Sequence, residues 1–593
     1  MAVDSIPSRL IEQATQRPYG DAYAVRTASG WVKTTWTEYV DQVKEASRAL
    51  MALGLQNGGM ICILGFNRPE WVITDLAAMM TGGVPAGIYT TCSSPEVAYI
   101  IQHSGAEIVL VENTMQWEKV KEERANLPNL KHVILMKGAD SVDDPMVLSW
   151  EAFLAKSDGV TEDQLTERMD SIQMDQLATL IYTSGTTGPP KAVMLSHENL
   201  SWTAEAAREI ADFTDNDTCL SYLPLSHIAE QMFSIHGPVS HGILVYYAES
   251  LEKLPDNLKE VQPTIVFGVP RVWEKFHAGV SSKLAKATGV KAKLVSWARG
   301  VGTRVTDLRN RGGEPTGLLA VQYKLANKLI YSKVKPLLGL KNARMCVSGA
   351  APIAPEILEF FGGLDLTIHE VYGQSEDCGP TSFNVPGQTK FGSVGPAVPG
   401  VQIRIADDGE ILVKGPNVFM GYYKDPAATA DSLIDGWLHS GDLGSFDDDG
   451  FLFITGRKKE IIITAGGKNI APKNIEAALK NQDLIAEAVV IGDRRKFLTA
   501  LLTLDEDATT EFASENNLAN DNVIADAKLR AHIQSGVDTV NEMFARVEHV
   551  RKFTVLPRNF SIEDGELTPT QKIKRRVIHD KYSDEIEAMY VDA

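Results

Sequence analysis

From Met60 onward the chain alternates short apolar runs with segments of helical pattern, and this alternation constrains the fold more than any other feature. Residues 60–66 read as a strand, and Asn67, Pro69 and Glu70 announce a helix after it. Ser93, Pro95 and Glu96 open a second helix, followed by a strand-like stretch at 107–111. Apolar runs at 177–182, 243–247, 264–267 and 345–347 each precede a further helical pattern. Such alternation implies an α/β fold of mixed, largely parallel sheets flanked by helices. With 593 residues, 44% of them apolar, the chain is too long for one core.

Two stretches break the pattern. Residues 275–340 are helical in composition and rich in Lys and Arg, with a turn or loop expected at 311–317. A solvated helical hairpin is the expectation there, and a membrane-docking surface the alternative. After Val401 come short strands with turn signals, at 407–409 before 410–414 and at 447–450 before 451–455. They indicate a smaller β-rich subdomain. The expected organisation is a large N-terminal domain over 1–456, a hinge at 457–460 and a small, mobile α/β domain over 461–593.

Charge and cysteine content narrow the function. A formal net charge of -19 and a pI near 5.2 give a field that repels nucleic acid. The five cysteines are scattered without a C-x-x-C pair, which fits buried thiols in a reducing compartment and offers no zinc spacing. The first eighteen residues lack the order of a secretion signal, and no window approaches the ~20 apolar residues of a membrane span. A cytoplasmic enzyme is expected, with peripheral contact at the inner face of a membrane and oligomerisation both left open.

The chemistry is concentrated in Tyr182-Thr183-Ser184-Gly185-Thr186-Thr187-Gly188-Pro189-Pro190-Lys191, which lies between two strand-like runs. Glycines let backbone N–H groups approach phosphate oxygens, the hydroxyls add donors, and Lys191 adds charge. It is not a Walker A loop, because no Ser or Thr follows the lysine and prolines precede it. The segment resembles the phosphate loop of the adenylate-forming superfamily, which contains acyl-CoA synthetases, luciferases and peptide-synthetase adenylation domains.

That resemblance extends over nearly the whole chain. Tyr372-Gly373-Gln374-Ser375-Glu376 matches the family's aromatic-Gly-x-[ST]-Glu motif. It implies Tyr372 stacked on adenine, Ser375 donating to the α-phosphate, and Glu376, with Thr183 nearby, holding Mg²⁺. Gly349, Ala350 and Ala351 would let the adenine lie against backbone. Asp442, in a Gly-Trp-Leu-His-Ser-Gly-Asp run, and Arg457 would bind the ribose. Lys459 takes the hinge position, Gly466 and Gly467 would line the pantetheine tunnel, and Lys572 is the lysine expected to catalyse adenylation. The commonest pattern has Gly immediately before that lysine, whereas this chain has Gln571, as long-chain acyl-CoA synthetases often do.

The implied reaction uses ATP, Mg²⁺ and CoA. A fatty carboxylate attacks the α-phosphorus of ATP, and the CoA thiolate then displaces AMP, with positioned cations lowering the first barrier. His227, in Leu-Ser-His-Ile-Ala-Glu, resembles the family's residue that sits near the reacting carboxylate or gates thiol access; the alternative is a histidine that merely starts a helix. The 268–275 segment and the long helical insertion look like long-chain and very-long-chain (bubblegum-like) synthetases, with Trp273 a candidate acyl gate or a core residue. The alternatives are a ligase for another carboxylic acid, transfer to a carrier-protein thiol, or a catalytically silent protein that keeps the fold.

Overall fold

The computed structural model describes residues 3–183, 189–518 and 520–591. Its largest sheet has eight strands, in the order Gly421–Tyr422, Lys191–Ser196, Leu177–Thr183, Val84–Ile88, Met60–Leu64, Ile108–Val111, His132–Leu135 and Val147–Leu148. The six from Leu177–Thr183 to Val147–Leu148 run parallel; at the other edge Lys191–Ser196 runs against them, and Gly421–Tyr422 pairs antiparallel with it. The central strands are buried along their full length, the pattern of a sheet covered on both faces.

Helix Pro69–Met80 starts one residue later than the sequence suggests. Arg68 is its N-cap and makes no side-chain cap bond. The Asn67 amide is committed elsewhere, donating to Ser221 Oγ at 2.8 Å and Leu223 O at 2.7 Å. Ser93, by contrast, closes a capping box with Glu96 at the start of Ser94–Ser104.

Two four-stranded sheets complete the large part. One is ordered Thr218–Ser221, Leu244–Tyr247, Asp21–Thr27, Gly30–Thr35; the other Ile265–Gly268, Met345–Ser348, Ile368–Tyr372, Ser382–Phe383. The basic stretch forms helices Pro270–Ala285, Gly289–Arg309, Gly317–Ala326 and Ser332–Leu337, with the turn falling between Arg309 and Gly317. A five-stranded, largely antiparallel sheet, running from Gln402–Ile405 to Leu452–Arg457, forms the β-rich subdomain.

Beyond residue 461 a three-stranded sheet, Ile485–Ile491, Leu498–Leu504 and Val550–Val555, packs against helices that include Pro472–Lys480 and Ala527–Glu542. Its two buried clusters draw only on residues after 461, so this unit buries its own cores and meets the rest through surface contacts. All five cysteines are free and buried. No helix among the described residues is long and apolar enough to cross a membrane.

Candidate active site

The phosphate-loop segment falls between two antiparallel strands, with Thr183 paired to Lys191 where the strands end. Ser184, Gly185, Thr186, Thr187 and Gly188 lie outside the described residues. The edge strand Gly421–Tyr422, hydrogen-bonded to Lys191–Ser196, brings Tyr422 alongside. The Lys191 ammonium stands 4.7 Å from the Tyr422 ring centroid, and the Tyr422 hydroxyl donates to Glu376 Oε1 at 2.8 Å. Tyr422 thus links this strand pair to the second motif, a link that sequence reading missed.

Tyr372 ends the strand Ile368–Tyr372, and the residue after it has to be glycine. A Cβ at Gly373 would lie 1.4 Å from the Gly379 carbonyl oxygen. The chain then folds into a single turn, Ser375–Asp377, fixed by the buried Asp377, which accepts from the Gln374 N–H. Burial pushes the Asp377 carboxyl up to about 8. Ser375 is almost fully buried, and its hydroxyl makes no hydrogen bond among the described residues. Gly349 is similarly confined, since a Cβ there would meet Val371 Cγ1 at 2.7 Å. Ala350 follows at φ +66°, a left-handed conformation that strains any residue with a side chain.

Asp442 ties this region to the β-rich subdomain. Its Oδ2 accepts from the Tyr372 hydroxyl at 3.0 Å and from the Gln374 amide, and its Oδ1 lies 3.6 Å from Arg457 Nε. Asp442 and Arg457 are register partners on adjacent strands, which accounts for their approach across fifteen residues of sequence. Glu410 holds the turn before Asp442, accepting from the Gly441 N–H at 2.9 Å and from Lys458 at 3.0 Å. Burial acts to raise its carboxyl, but the bonds from Lys458, His439 and Gly441 outweigh it and hold it below the usual range. Nothing in the local sequence singles out Glu410, because its partners lie 29 to 48 residues away.

Lys572 reaches this cluster from the C-terminal unit. Its loop is closed by a bridge between Leu567 and Ile573, and by bonds from Lys572 N to Thr568 Oγ1 at 3.0 Å and from Gln571 N to Thr568 O at 2.8 Å. Gln571 adopts φ +59°, so the position where the commonest pattern has glycine is a left-handed one. Thr91 Oγ1 donates to Pro569 O at 2.7 Å and docks the loop on the large domain. The Lys572 ammonium stands in a cleft that solvent reaches but protein surrounds. That enclosure lowers its pKa first, Arg457 and Lys473 lower it further, and Glu376 and Asp442 pull the other way.

An apolar cavity adjoins the cluster. Its lining includes Ala350, Gly373 and Gln374 from the motifs, His227, and an apolar wall containing Met232, Phe233 and Phe267. Met232 and Phe233 belong to a π-helical turn, Met232–His236, a local irregularity frequent at functional sites. His227 caps the preceding helix, its Nδ1 accepting from the Ala229 N–H at 3.1 Å, so the neutral ring carries its proton on Nε2. Burial, then the nearby Lys572, lowers its pKa to about 4. The buried Glu230 anchors this loop, accepting from Ser221 and Ser234, each at 2.7 Å, and from the Tyr222 N–H.

Four expected residues lie apart. Trp273 does not line the cavity. It is fully buried in a separate cluster with Phe276 and Phe361, and its indole N–H donates to Gly268 O and Val347 O, both at 3.2 Å. This corrects the gate expectation to one of core packing, because the indole secures two strand ends. Gly466 and Gly467 sit at the exposed turn between Ile462–Ile463 and Asn469–Ile470; a Cβ at Gly467 would meet open space, and one at Gly466 only Thr464 Oγ1, at 3.9 Å. Lys459 is exposed in the short turn Lys458–Glu460 between the two units.

The cluster also accommodates a hard cation. Among the described residues no group of three or more His, Cys, Asp or Glu side chains could hold a metal alone. Glu376, however, is half-buried with one oxygen bonded to Tyr422 and the other without a hydrogen-bond partner among the described residues. One carboxylate beside a polyphosphate site suits Mg²⁺, which takes its other ligands from phosphate and water.

A large α/β domain carrying a polar cleft beside an apolar cavity, with a small domain that brings a lysine onto that cleft, defines a nucleotide-using enzyme of two-domain type. The chain belongs to the AMP-binding enzyme family. It matches that family over residues 10–423 and the AMP-binding enzyme C-terminal domain over 459–593. Among its relatives, the long-chain-fatty-acid–CoA ligase ACSBG2 of Xenopus laevis is 40% identical, over 100% of this chain and 85% of the relative. The long-chain-fatty-acid–CoA ligase FadD15 of Mycobacterium tuberculosis is 35% identical, over 99% of this chain and 97% of the relative.

Two solved structures share the fold. The A domain of carboxylic acid reductase from Segniliparus rugosus, in complex with AMP and a co-purified carboxylic acid, superposes with TM-score 0.75 at 18% identity, covering 99% of this chain and 94% of that one. A Mycobacterium tuberculosis fatty acyl CoA synthetase superposes with TM-score 0.63 at 20% identity, covering 98% and 99%.

Proposed function

We propose that the protein is an ATP-dependent ligase that activates long-chain fatty acids to acyl-adenylates and transfers the acyl group to CoA, releasing AMP and pyrophosphate. The observation that carries this reading is the convergence of Lys572, Arg457, Asp442 and Glu376 on one cleft that adjoins the cavity lined by His227. The full-length relatives supply the substrate class.

In this reading Asp442 accepts from the ribose hydroxyls and Arg457 adds a second ribose contact. Tyr372 stacks on adenine, which lies against Gly349, Ala350 and Ala351, with Gly373 and Gln374 lining the pocket. Ser375, Thr183, Lys191 and the loop residues Ser184, Gly185, Thr186, Thr187 and Gly188 bind the phosphates. Glu376, with Thr183, holds Mg²⁺, which supplies charge neutralisation when bound. Lys572 bridges the fatty carboxylate and the α-phosphate. The carboxylate oxygen bonds to the α-phosphorus while the bond to pyrophosphate breaks. The neutral His227 faces the carboxyl end of the acid, and the alkyl chain fills the apolar cavity, where each buried methylene contributes about 0.8 kcal/mol.

For the second step the domain over 461–593 rotates about Lys459 in the 457–460 hinge, relative to the domain over 1–456. Gly466 and Gly467 then line the path of pantetheine, and the CoA thiolate attacks the acyl carbonyl and expels AMP. The working environment is the cytoplasm, with peripheral attachment to a membrane that holds the fatty acid.

Acid-dependent ATP/pyrophosphate exchange and CoA-dependent AMP release, measured over a chain-length series, test the reading. Exchange rising with chain length and CoA-dependent AMP release are expected. No exchange with any acid would overturn it, and thioester formation only on a holo-carrier protein would replace CoA as acceptor.

A further inference from the structure

The helical insertion holds a feature that the ligase reaction does not use. Between 283 and 341 there are thirteen Lys and Arg against two Asp and Glu, in a chain whose net charge is -19. Helix Gly317–Ala326 within it is apolar on both sides. Its inner side, Leu319, Tyr323 and Ala326, packs with Ala298, Val301 and Tyr331. Its outer side carries Leu318, Val321 and Leu325, which are 73%, 63% and 48% exposed. Their spacing of three and four residues places them along one face. A helix with apolar residues all round is ordinarily buried, so this one is built to be covered.

Charge selects what covers it. Lys324 and Lys328 flank the stripe, both exposed and without a carboxylate partner among the described residues. Exposed Lys333 and Lys341 follow, and Val290, 83% exposed, stands between Lys286 and Lys291 at the start of the neighbouring helix Gly289–Arg309. A second copy docking through the same face would set cation against cation, because a two-fold interface repeats one surface on both sides. An anionic surface accepting short apolar side chains satisfies both features.

We infer that helix Gly317–Ala326 docks the protein on anionic phospholipid bilayers, Leu318, Val321 and Leu325 entering the acyl boundary while Lys324 and Lys328 engage headgroup phosphates. The expected solvated hairpin is thereby assigned to a lipid surface. This surface lies outside the nucleotide cleft and stands independently of the ligase reading.

The test is co-sedimentation of the full-length protein with phosphatidylcholine vesicles, with and without about one third phosphatidylglycerol. The wild type is expected to bind the anionic vesicles at least about tenfold more tightly, and less tightly at high salt. The triple variant Leu318→Ser, Val321→Ser, Leu325→Ser should lose about tenfold or more in partitioning. Lys324→Gln with Lys328→Gln should lose about fivefold per lysine, mainly on anionic vesicles. Both variants should keep wild-type thermal unfolding, which separates lost docking from lost folding. Equal wild-type binding to both vesicle types, no binding, or a triple variant that binds as the wild type does would overturn the proposal. So would a dimer in sedimentation velocity that the triple variant dissolves. Failure of ATP/pyrophosphate exchange would leave the vesicle result standing.

Discussion

The C-terminal unit presents two loops that look alike as sequence, each short, polar and basic, yet they occupy opposite situations. The loop bearing Lys572 is held by its own backbone bonds, docked through Thr91, and directed at Glu376, Asp442 and Arg457. The turn bearing Gly466 and Gly467 is also held by its own backbone bonds, but it is exposed and bonds only within its own unit, Ala465 N–H donating to Arg495 O at 2.8 Å. One unit cannot bring both loops to the same cleft at once. On the proposed reading the engaged loop serves adenylation, and the exposed turn serves a later arrangement in which the unit has rotated.

The sharpest way to break this contrast is Lys572→Ala. Acyl-adenylate formation should fall about 10²–10³-fold, the scale of losing one positioned transition-state donor, while thioester formation from preformed acyl-adenylate stays near wild type. Stopped assays of each half-reaction read both. Next in size is Gly466→Leu, which should fold unchanged because a Cβ there makes only an ordinary contact with Thr464 Oγ1 at 3.9 Å. The CoA step should slow by about tenfold or more if the side chain obstructs pantetheine, with ATP/pyrophosphate exchange untouched. Loss of exchange instead would put the turn in the wrong half-reaction.

Smaller effects refine the docking. Arg271, exposed, pairs with the partly buried Glu487 of the C-terminal unit at 3.2 Å. Arg271→Ala should therefore lower adenylation by no more than about fivefold, since such pairs contribute roughly 0–1 kcal/mol, and leave the CoA step unchanged.

The base of the Lys572 loop is anchored by buried Glu566. Burial acts to raise its carboxyl, but Arg558, Lys581 and Tyr582 outweigh this and hold it down to about 2. With the folded value below the ordinary one, the charged group contributes stability that is complete above about 4.5 and drains away as the pH falls toward about 2. Glu566→Gln should flatten the fall of thermal stability over that window. Smallest is Gln571→Gly, which removes a left-handed strain of about 1 kcal/mol at the price of a looser unfolded chain. A midpoint equal to or slightly above wild type, with adenylation unchanged, is expected.

Much of the site could be read in the sequence where chemistry is contiguous. The Tyr372-Gly373-Gln374-Ser375-Glu376 run and Lys572 are recognisable because one turn needs those residues side by side, and the structure gives Gly373 its reason in the Gly379 carbonyl. The parallel sheet was legible from its alternating apolar runs, as buried strands must be apolar. What escaped depends on partners far along the chain. Tyr422 meets Glu376 across 46 residues, Glu410 meets Lys458 across 48, and Asn67 gave up a capping role for Ser221 and Leu223 across more than 150. Trp273 misled for a related reason, since a tryptophan after a strand reads equally as gate or as core until its indole partners are known.

Fixing the engaged loop in place tests the central claim most directly. A reversible disulfide between Thr91→Cys and Pro569→Cys would hold the Lys572 loop where the Thr91 hydroxyl now meets the Pro569 carbonyl. The oxidised enzyme should carry out acid-dependent ATP/pyrophosphate exchange yet release no AMP when CoA is added, and reductant should restore release. An oxidised enzyme that completes both steps, with the cross-link verified, would contradict the rotation of one unit between two faces.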